Sequence, residues 1–288
     1  MEPKTVTYKS VGSLEIKLNL YVPSISTSSL PILVWFHGGG LLQGSRSRVA
    51  THMVNGVSKY GFALVSADYR LAPQVTVAEI LTDVQDCLKF VYDKLPKHTP
   101  TGIALDTSRI IVSGSSAGGY LSLLAGLYSN VKIRAILAIY PITNPYGKFF
   151  TNPQPIPESH IDQALVAPYL DRNAEAAADS DAESTRNKFY FYMMQEANLA
   201  SLLSIKPGED TFIISEQLKK RRSFLPCFIV HGDADRYVGV EQADEVVNIL
   251  KNIGADYDYE RLMGVDHLFD IDEKVQMENM YTFMAKHL

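Results

Sequence analysis

Three stretches of this 288-residue sequence combine side chains and bare backbone in ways that suit covalent catalysis. Gly114-Ser115-Ser116-Ala117-Gly118-Gly119 carries the spacing G-x-S-x-G, follows directly on the apolar run Ile110–Ser113 and opens an apolar, helix-like segment. A strand, sharp turn and helix in that order lift the serine hydroxyl to a helix N-terminus, where amides and dipole favour negative charge. Upstream, His37-Gly38-Gly39-Gly40 closes the run Ile32–Phe36. Consecutive glycines leave amides free to approach a substrate oxygen. Acyl transfer passes through an oxyanion, and losing one donor to it costs about 3–4 kcal/mol. Ser116 therefore reads as a nucleophile, and Gly39, Gly40 and Ala117 as oxyanion-hole donors.

A serine hydroxyl needs a base, and the base needs a carboxylate to orient it. Of the seven histidines, His37 belongs to the glycine loop, His52 and His98 sit in polar or helix-edge settings, and His287 is next to the last residue. His160 falls in a segment with no strand to fix it, and His231 ends an apolar run in a position more often structural. His267 remains, in a loop after the strand-like Tyr257–Leu262 and before the last helical pattern. The carboxylate is expected after the preceding run, in His231-Gly232-Asp233-Ala234-Asp235. Asp235 is the choice and Asp233 its rival, while Asp266, adjacent to the histidine, should point elsewhere.

These residues need a scaffold that presents loops along one edge. Leu14 to Val22 alternates apolar and polar residues, the pattern of a half-exposed antiparallel strand. Ile32–Phe36, Phe62–Val65, Ile110–Val112, Ala135–Tyr140 and Phe228–Val230 are short continuous apolar runs, as in strands buried on both faces of a parallel sheet. Helical stripes lie between them at Val77–Leu95, Val240–Leu250 and Met277–Met284, and Leu121–Leu127 is apolar nearly all round. Strands alternating with helices predict an α/β fold, a mostly parallel central sheet with helices on both faces. The rhythm breaks between Asn144 and Arg222, where no strand-like run occurs. Residues 144–222 are expected to form a helical cap over a core of 1–143 and 223–288, above the sheet edge where ligands bind in open α/β folds. Phe189–Met194 in that segment could line a pocket or pack the cap onto the core.

Composition narrows the function classes. The chain is 46% hydrophobic and 20% charged with net charge −5, so no basic excess points to nucleic acid. Neither zinc-ligand spacing nor a phosphate-loop motif is present, and no metal or cofactor is expected. No stretch is long and apolar enough for a membrane span, and the first residues carry no signal-like apolar region. Cys87 and Cys227 read as core residues of a protein in a reducing compartment, so the expected location is cytoplasmic. The expected partner is a small-molecule ester or acyl substrate, and a homodimer is compatible with the sequence.

The stretches His37-Gly38-Gly39-Gly40, Asp68-Tyr69-Arg70-Leu71-Ala72-Pro73 and Gly114-Ser115-Ser116-Ala117-Gly118-Gly119 resemble those of the α/β-hydrolase superfamily. They are most similar to the hormone-sensitive-lipase-like esterases, the α/β-hydrolase fold-3 branch, and the likeness runs from about residue 14 to the C-terminus. The order Ser116, Asp235, His267 is the one such enzymes follow. The resemblance implies an α/β-hydrolase fold and a serine hydrolase that cleaves carboxylic esters through an acyl-enzyme. Two departures stand out. Ser115 occupies a position where that branch commonly has Asp, and Gly232-Asp233-Ala234-Asp235 with Asp266-His267 look more like dienelactone-hydrolase and peptidase branches. Thioester hydrolysis, lactone opening, acyl transfer or carbon–carbon chemistry on a polyketide-like substrate are the alternatives on the same machinery. A non-catalytic receptor is more distant: the plant gibberellin receptors resemble the same esterases but lack the histidine, which is retained here.

Overall fold

The apolar runs become the inner strands of an eight-stranded sheet in the computed structural model, which describes residues 1–158 and 160–288. In chain order the strands are β1 (Lys4–Val11), β2 (Leu14–Tyr21), β3 (Leu30–Phe36), β4 (Ala63–Ala67), β5 (Leu105–Ser115), β6 (Ile136–Ile139), β7 (Cys227–Gly232) and β8 (Tyr257–Leu262). Their spatial order is β1-β2-β4-β3-β5-β6-β7-β8. The hairpin β1–β2 and the β2–β4 pair are antiparallel, and every pairing from β4 through β3 to β8 is parallel. All residues of β3, β4, β6 and β7 are buried, as continuous apolar runs require. β1 lies outside the elements read from the sequence. Its alternation places Val6 and Tyr8 inward and leaves most of the edge strand exposed.

Successive residues of each strand face opposite ways, so the sheet carries a core on either side. On one face Ile32, Val34, Val112 and Ile229 pack with α2 (Val77–Asp93), α3 (Ala117–Tyr128) and α8 (Glu241–Asn252). On the other, Leu33, Trp35, Ile111 and Val230 pack with α1 (Thr51–Tyr60) and α9 (Glu278–Lys286). α2 starts with a reciprocal capping box between Thr76 and Glu79, which satisfies two orphan donors and fixes where the helix begins. α3 is buried almost all round, as its composition predicts.

Between β6 and β7, the α-helices among the described residues are short: α4 (Gln163–Leu170), α5 (Phe189–Glu196), α6 (Leu199–Leu202) and α7 (Ile214–Lys219). From this stretch Phe189, Met193 and Leu199 join the core that α2 and α3 share. Cys87 and Cys227 are both free and buried. No described helix is long and apolar enough to cross a membrane.

Candidate active site

Ser116 sits between the end of β5 and the first turn of α3, with φ 58° and ψ −116°. A non-glycine residue in that region is strained by roughly 1–3 kcal/mol and persists only where its surroundings hold it. Its amide donates to Ile139 O at 2.8 Å, and its carbonyl accepts from Tyr120 and Ile142. Two residues on, a Cβ added to Gly118 would lie 1.9 Å from Phe36 O, so only glycine lets α3 run this close to the end of β3.

That approach brings the glycine loop to the serine: a Cβ on Gly38 would stand 3.2 Å from Ser116 Cβ. Among the described residues, the amides of Gly39, Gly40 and Ala117 donate to no protein acceptor outside regular elements. Gly39 lines the cavity above Ser116, whereas Gly40 lies under the ring of Tyr190, 2.5 Å from where a Cβ would be. His37 supports the loop. Its Nδ1 is 2.8 Å from Gly38 O and its ring stacks on Tyr69 at 4.2 Å. Burial lowers its pKa to about 4 despite the Gly38 carbonyl, so it stays neutral near pH 7.

On the far side, the loops after β7 and β8 bring Asp235 and His267 together. His267 Nδ1 lies 2.6 Å from Asp235 Oδ2, with a fully buried carboxylate and an imidazole 5% exposed. Asp235 Oδ1 accepts from the amides of Tyr237 and Val238 at 2.8 and 2.9 Å. Burial raises the Asp235 carboxyl, but hydrogen bonds from His231 and His267 outweigh it and hold the group well below the usual carboxylate range. An ionised acid assigns the Nδ1 proton to His267, which leaves its Nε2 lone pair for another group. Ser116 and His267 line the same cavity. The other acids of these loops turn away: Asp233 accepts from Gly264 N at 2.7 Å, and Asp266 pairs with Arg236.

His231 is the neighbour that the sequence reading set aside. Its Nε2 is 2.9 Å from Val238 O and 3.1 Å from Asp235 Oδ2. A carbonyl can only accept, so His231 Nε2 carries hydrogen and shares it with the carboxylate. The signal available in sequence is the spacing His-x-x-x-Asp at a strand end, where a tight turn returns the fifth residue to the first.

The cavity measures about 520 Å³, and its lining includes Trp35, Tyr140, Tyr190, Phe191 and Tyr237. Of the Phe189–Met194 cluster, only Tyr190 and Phe191 line it, while Phe189, Tyr192, Met193 and Met194 are packed inward. Residues from 144–222 also hold the glycine loop. Arg186, 5% exposed, donates to Leu42 O at 2.7 Å and to Ala72 O and Gln74 Oε1 at 2.9 Å. Tyr190 N donates to Gln43 Oε1 at 3.0 Å, and Tyr190 OH reaches Tyr237 O at 2.6 Å. In the cavity wall, Tyr140 hydrogen-bonds Asp270 and its ring packs 4.3 Å from that of His267.

A model of the BD-FAE family matches residues 18–250. Non-reducing polyketide synthases are similar over nearly the whole chain. That of Emericella nidulans (pkbA) is 26% identical over 93% of this chain and 13% of its own length. That of Stachybotrys bisbyi (stbA) is 26% identical over 93% of this chain and 14% of its own. The chain thus spans about a seventh of those relatives. Among solved structures, a protein of unknown function from Staphylococcus aureus superposes with a TM-score of 0.78 at 19% identity, covering 99% of both chains. An α/β-hydrolase superfamily protein from Enterococcus faecalis gives 0.71 at 19% identity, over 99% of this chain and 96% of its own. An esterase of Pyrobaculum calidifontis gives 0.67 at 21% identity, over 99% of this chain and 84% of its own. The shared architecture is the α/β-hydrolase fold.

Proposed function

This chain belongs to the BD-FAE family, and from that premise we propose that it is a serine hydrolase of carboxylic esters, with Ser116, His267 and Asp235 as its triad. Ser116 Oγ attacks the acyl carbonyl as His267 Nε2 takes its proton. The Gly39, Gly40 and Ala117 amides meet the oxyanion of the tetrahedral intermediate. His267 then protonates the leaving alkoxide, and the acyl group stays on Ser116. Water, deprotonated by the same imidazole, releases the acid and restores the serine. Asp235 fixes the tautomer throughout. Residues 144–222 act as a cap on a catalytic core of 1–143 and 223–288. Two free buried cysteines suit a cytoplasmic setting.

The observation that carries this reading is the 2.6 Å bond from His267 to a buried Asp235, made by a ring that faces the cavity holding Ser116. Ser116→Ala tests it: turnover of a short p-nitrophenyl ester should fall about a thousandfold or more. Turnover within tenfold of the parent refutes it.

Two observations favour a second reading. The likeness to polyketide synthases and a cavity walled by aromatic rings suit an acyl chain handed to an acceptor other than water. Fluorophosphonate labelling of Ser116 combined with negligible hydrolysis of simple esters would select it.

A further inference from the structure

Three arginines approach the glycine-loop side of the cavity, and two are fully engaged. Arg46 pairs with the buried carboxylate of Asp68 and with Asp179, 3.6 Å away. Arg186 is buried against two carbonyls and an amide oxygen. Arg48 differs. It is exposed, lines the cavity, and gives one N–H to Asn187 Oδ1 at 2.8 Å. Among the described residues no carboxylate pairs with it and no other acceptor takes its remaining donors.

Asn187 is a fixed anchor. Its Nδ2 donates to Asp181 O and Ala182 O at 2.8 Å each, and its Oδ1 also accepts from Ser180 Oγ at 3.1 Å. With the amide nitrogen committed to two carbonyls, the oxygen must face Arg48, so one edge of the guanidinium is docked and the rest is presented to the opening. The other charged side chains on the cavity wall do not answer it. Asp270 binds Tyr140 and lies 3.7 Å from His52 beneath the floor, and its second oxygen is buried. His37 is buried and neutral. In a chain of net charge −5, an unanswered cation here is not part of a general basic surface.

We propose that Arg48, docked on Asn187, reads an anionic group of the substrate, so that the ester this protein takes carries a carboxylate. A guanidinium offers a planar fork that fits a carboxylate with two parallel N–H bonds. A cavity of about 520 Å³ is roughly a nanometre across, so the carboxylate sits within that distance of the scissile carbonyl, beside the aromatic wall. The proposal rests on the esterase reading of Ser116, and the two can fail separately.

The test uses matched ester pairs, with the ratio of kcat/KM for charged over neutral substrate as its readout. 4-Acetoxybenzoate against 4-acetoxybenzamide places the charge on the leaving group; the mono-4-nitrophenyl ester of adipic acid against 4-nitrophenyl hexanoate places it on the acyl group. The parent protein should favour the charged member of at least one pair by about tenfold, the scale of one partly exposed charge-assisted bond. Arg48→Met and Arg48→Gln should abolish that preference, Arg48→Lys should keep part of it, and added salt should weaken it in the parent. A parent ratio near one for both pairs, or a preference that survives Arg48→Met, overturns the proposal. Binding is read independently of turnover from the fluorescence of Trp35, the single tryptophan and a cavity-lining residue. 4-Hydroxybenzoate should bind more tightly than 4-hydroxybenzamide to the parent but not to Arg48→Met. Equal binding by the parent of both this pair and adipate against hexanamide overturns the anion site even if esters are cleaved. Loss of all ester turnover with selective benzoate binding sinks the esterase reading and keeps the site.

Discussion

Replacing Asp235 by Asn changes one oxygen to an amide nitrogen and leaves the volume nearly untouched, so its effect isolates hydrogen-bond polarity. The carboxylate accepts from Tyr237 N and Val238 N on Oδ1 and from His231 and His267 on Oδ2. An asparagine oriented to keep both backbone donors turns its NH₂ toward both imidazoles. His267 relieves the donor–donor conflict by moving its proton to Nε2 and accepting on Nδ1, and it can then no longer take a proton from Ser116. His231 has no such escape, because Val238 O requires a donor on its Nε2. The expected loss in kcat is about 10⁴-fold, the scale of the same exchange in a serine protease triad, or about 5 kcal/mol of transition-state stabilisation. The buried conflict at His231 adds about 1–3 kcal/mol of destabilisation. The assay is kcat and KM for p-nitrophenyl butyrate, with thermal unfolding to show that the variant is folded. Asp233→Asn is the control, since Asp233 bonds Gly264 N instead of an imidazole; it should stay within about threefold. A folded Asp235→Asn protein with more than a tenth of the parent kcat refutes the reasoning.

Three further outcomes follow from the same geometry. His231→Gln keeps an N–H near Asp235 Oδ2 and should retain most activity, while His231→Leu should lose about tenfold in kcat, one charge-assisted bond's worth; equal values for the two variants would remove His231 from the positioning of the acid. Gly40→Ala forces a Cβ toward the Tyr190 ring at φ 68°, so kcat should fall, and a double-mutant cycle should show a smaller penalty in a Tyr190→Ala background. His37 has its pKa lowered by burial from 6.5 to about 4, so the unfolded chain binds the extra proton, and stability is lost as the pH falls from about 6.5 toward 4, by up to about 1.4 kcal/mol per unit. Asp68, raised by burial to about 6 despite Arg46, acts in the opposite sense, losing stability as the pH rises from about 4 to 6. The check is therefore the difference in urea-unfolding slope against pH between the parent and His37→Asn, and identical slopes refute it.

How much of this was legible beforehand depended on whether the determining contacts are local. β3, β4, β6 and β7 announce themselves because strands covered on both faces must be apolar at every position, and no short surface segment shares that pattern. β1 escaped because only Val6 and Tyr8 of its eight residues are buried, too few for a period-two pattern to stand out. α1 escaped because its buried stripe includes His52 and Gly56 beside Met53 and Val57, residues that read as loop or cap. Ser116 and the glycine loop were visible because close backbone approach restricts which residues fit, and glycine is the trace of that restriction. Asp235 and His267 were separable from their rivals only by placing each after a strand. The structure puts them in contact, with Asp233 and Asp266 turned elsewhere.

The contribution of residues 144–222 was not legible, because it is made by groups whose acceptors lie far along the chain. Nothing near Arg186 in sequence says that a guanidinium there will be buried, yet it serves the carbonyls of Leu42 and Ala72 and so holds the segment that follows Gly39 and Gly40. Burial without a carboxylate lowers its pKa to about 10, still cationic at neutral pH, so its charge is held by two backbone carbonyls, the Gln74 amide oxygen and the face of the Tyr169 ring. Tyr190 extends the same logic across the cavity. Its ring covers Gly40, its amide takes Gln43, and its hydroxyl reaches the carbonyl of Tyr237, two residues beyond Asp235. One aromatic side chain thus couples the glycine loop on one wall to the acid loop on the other. Swinging this segment away as a rigid lid would break the Arg186 and Tyr190 bonds together and uncover Gly40. Substrate entry therefore fits better at the rim formed by Arg48, Leu268 and Ile271, where the lining is exposed.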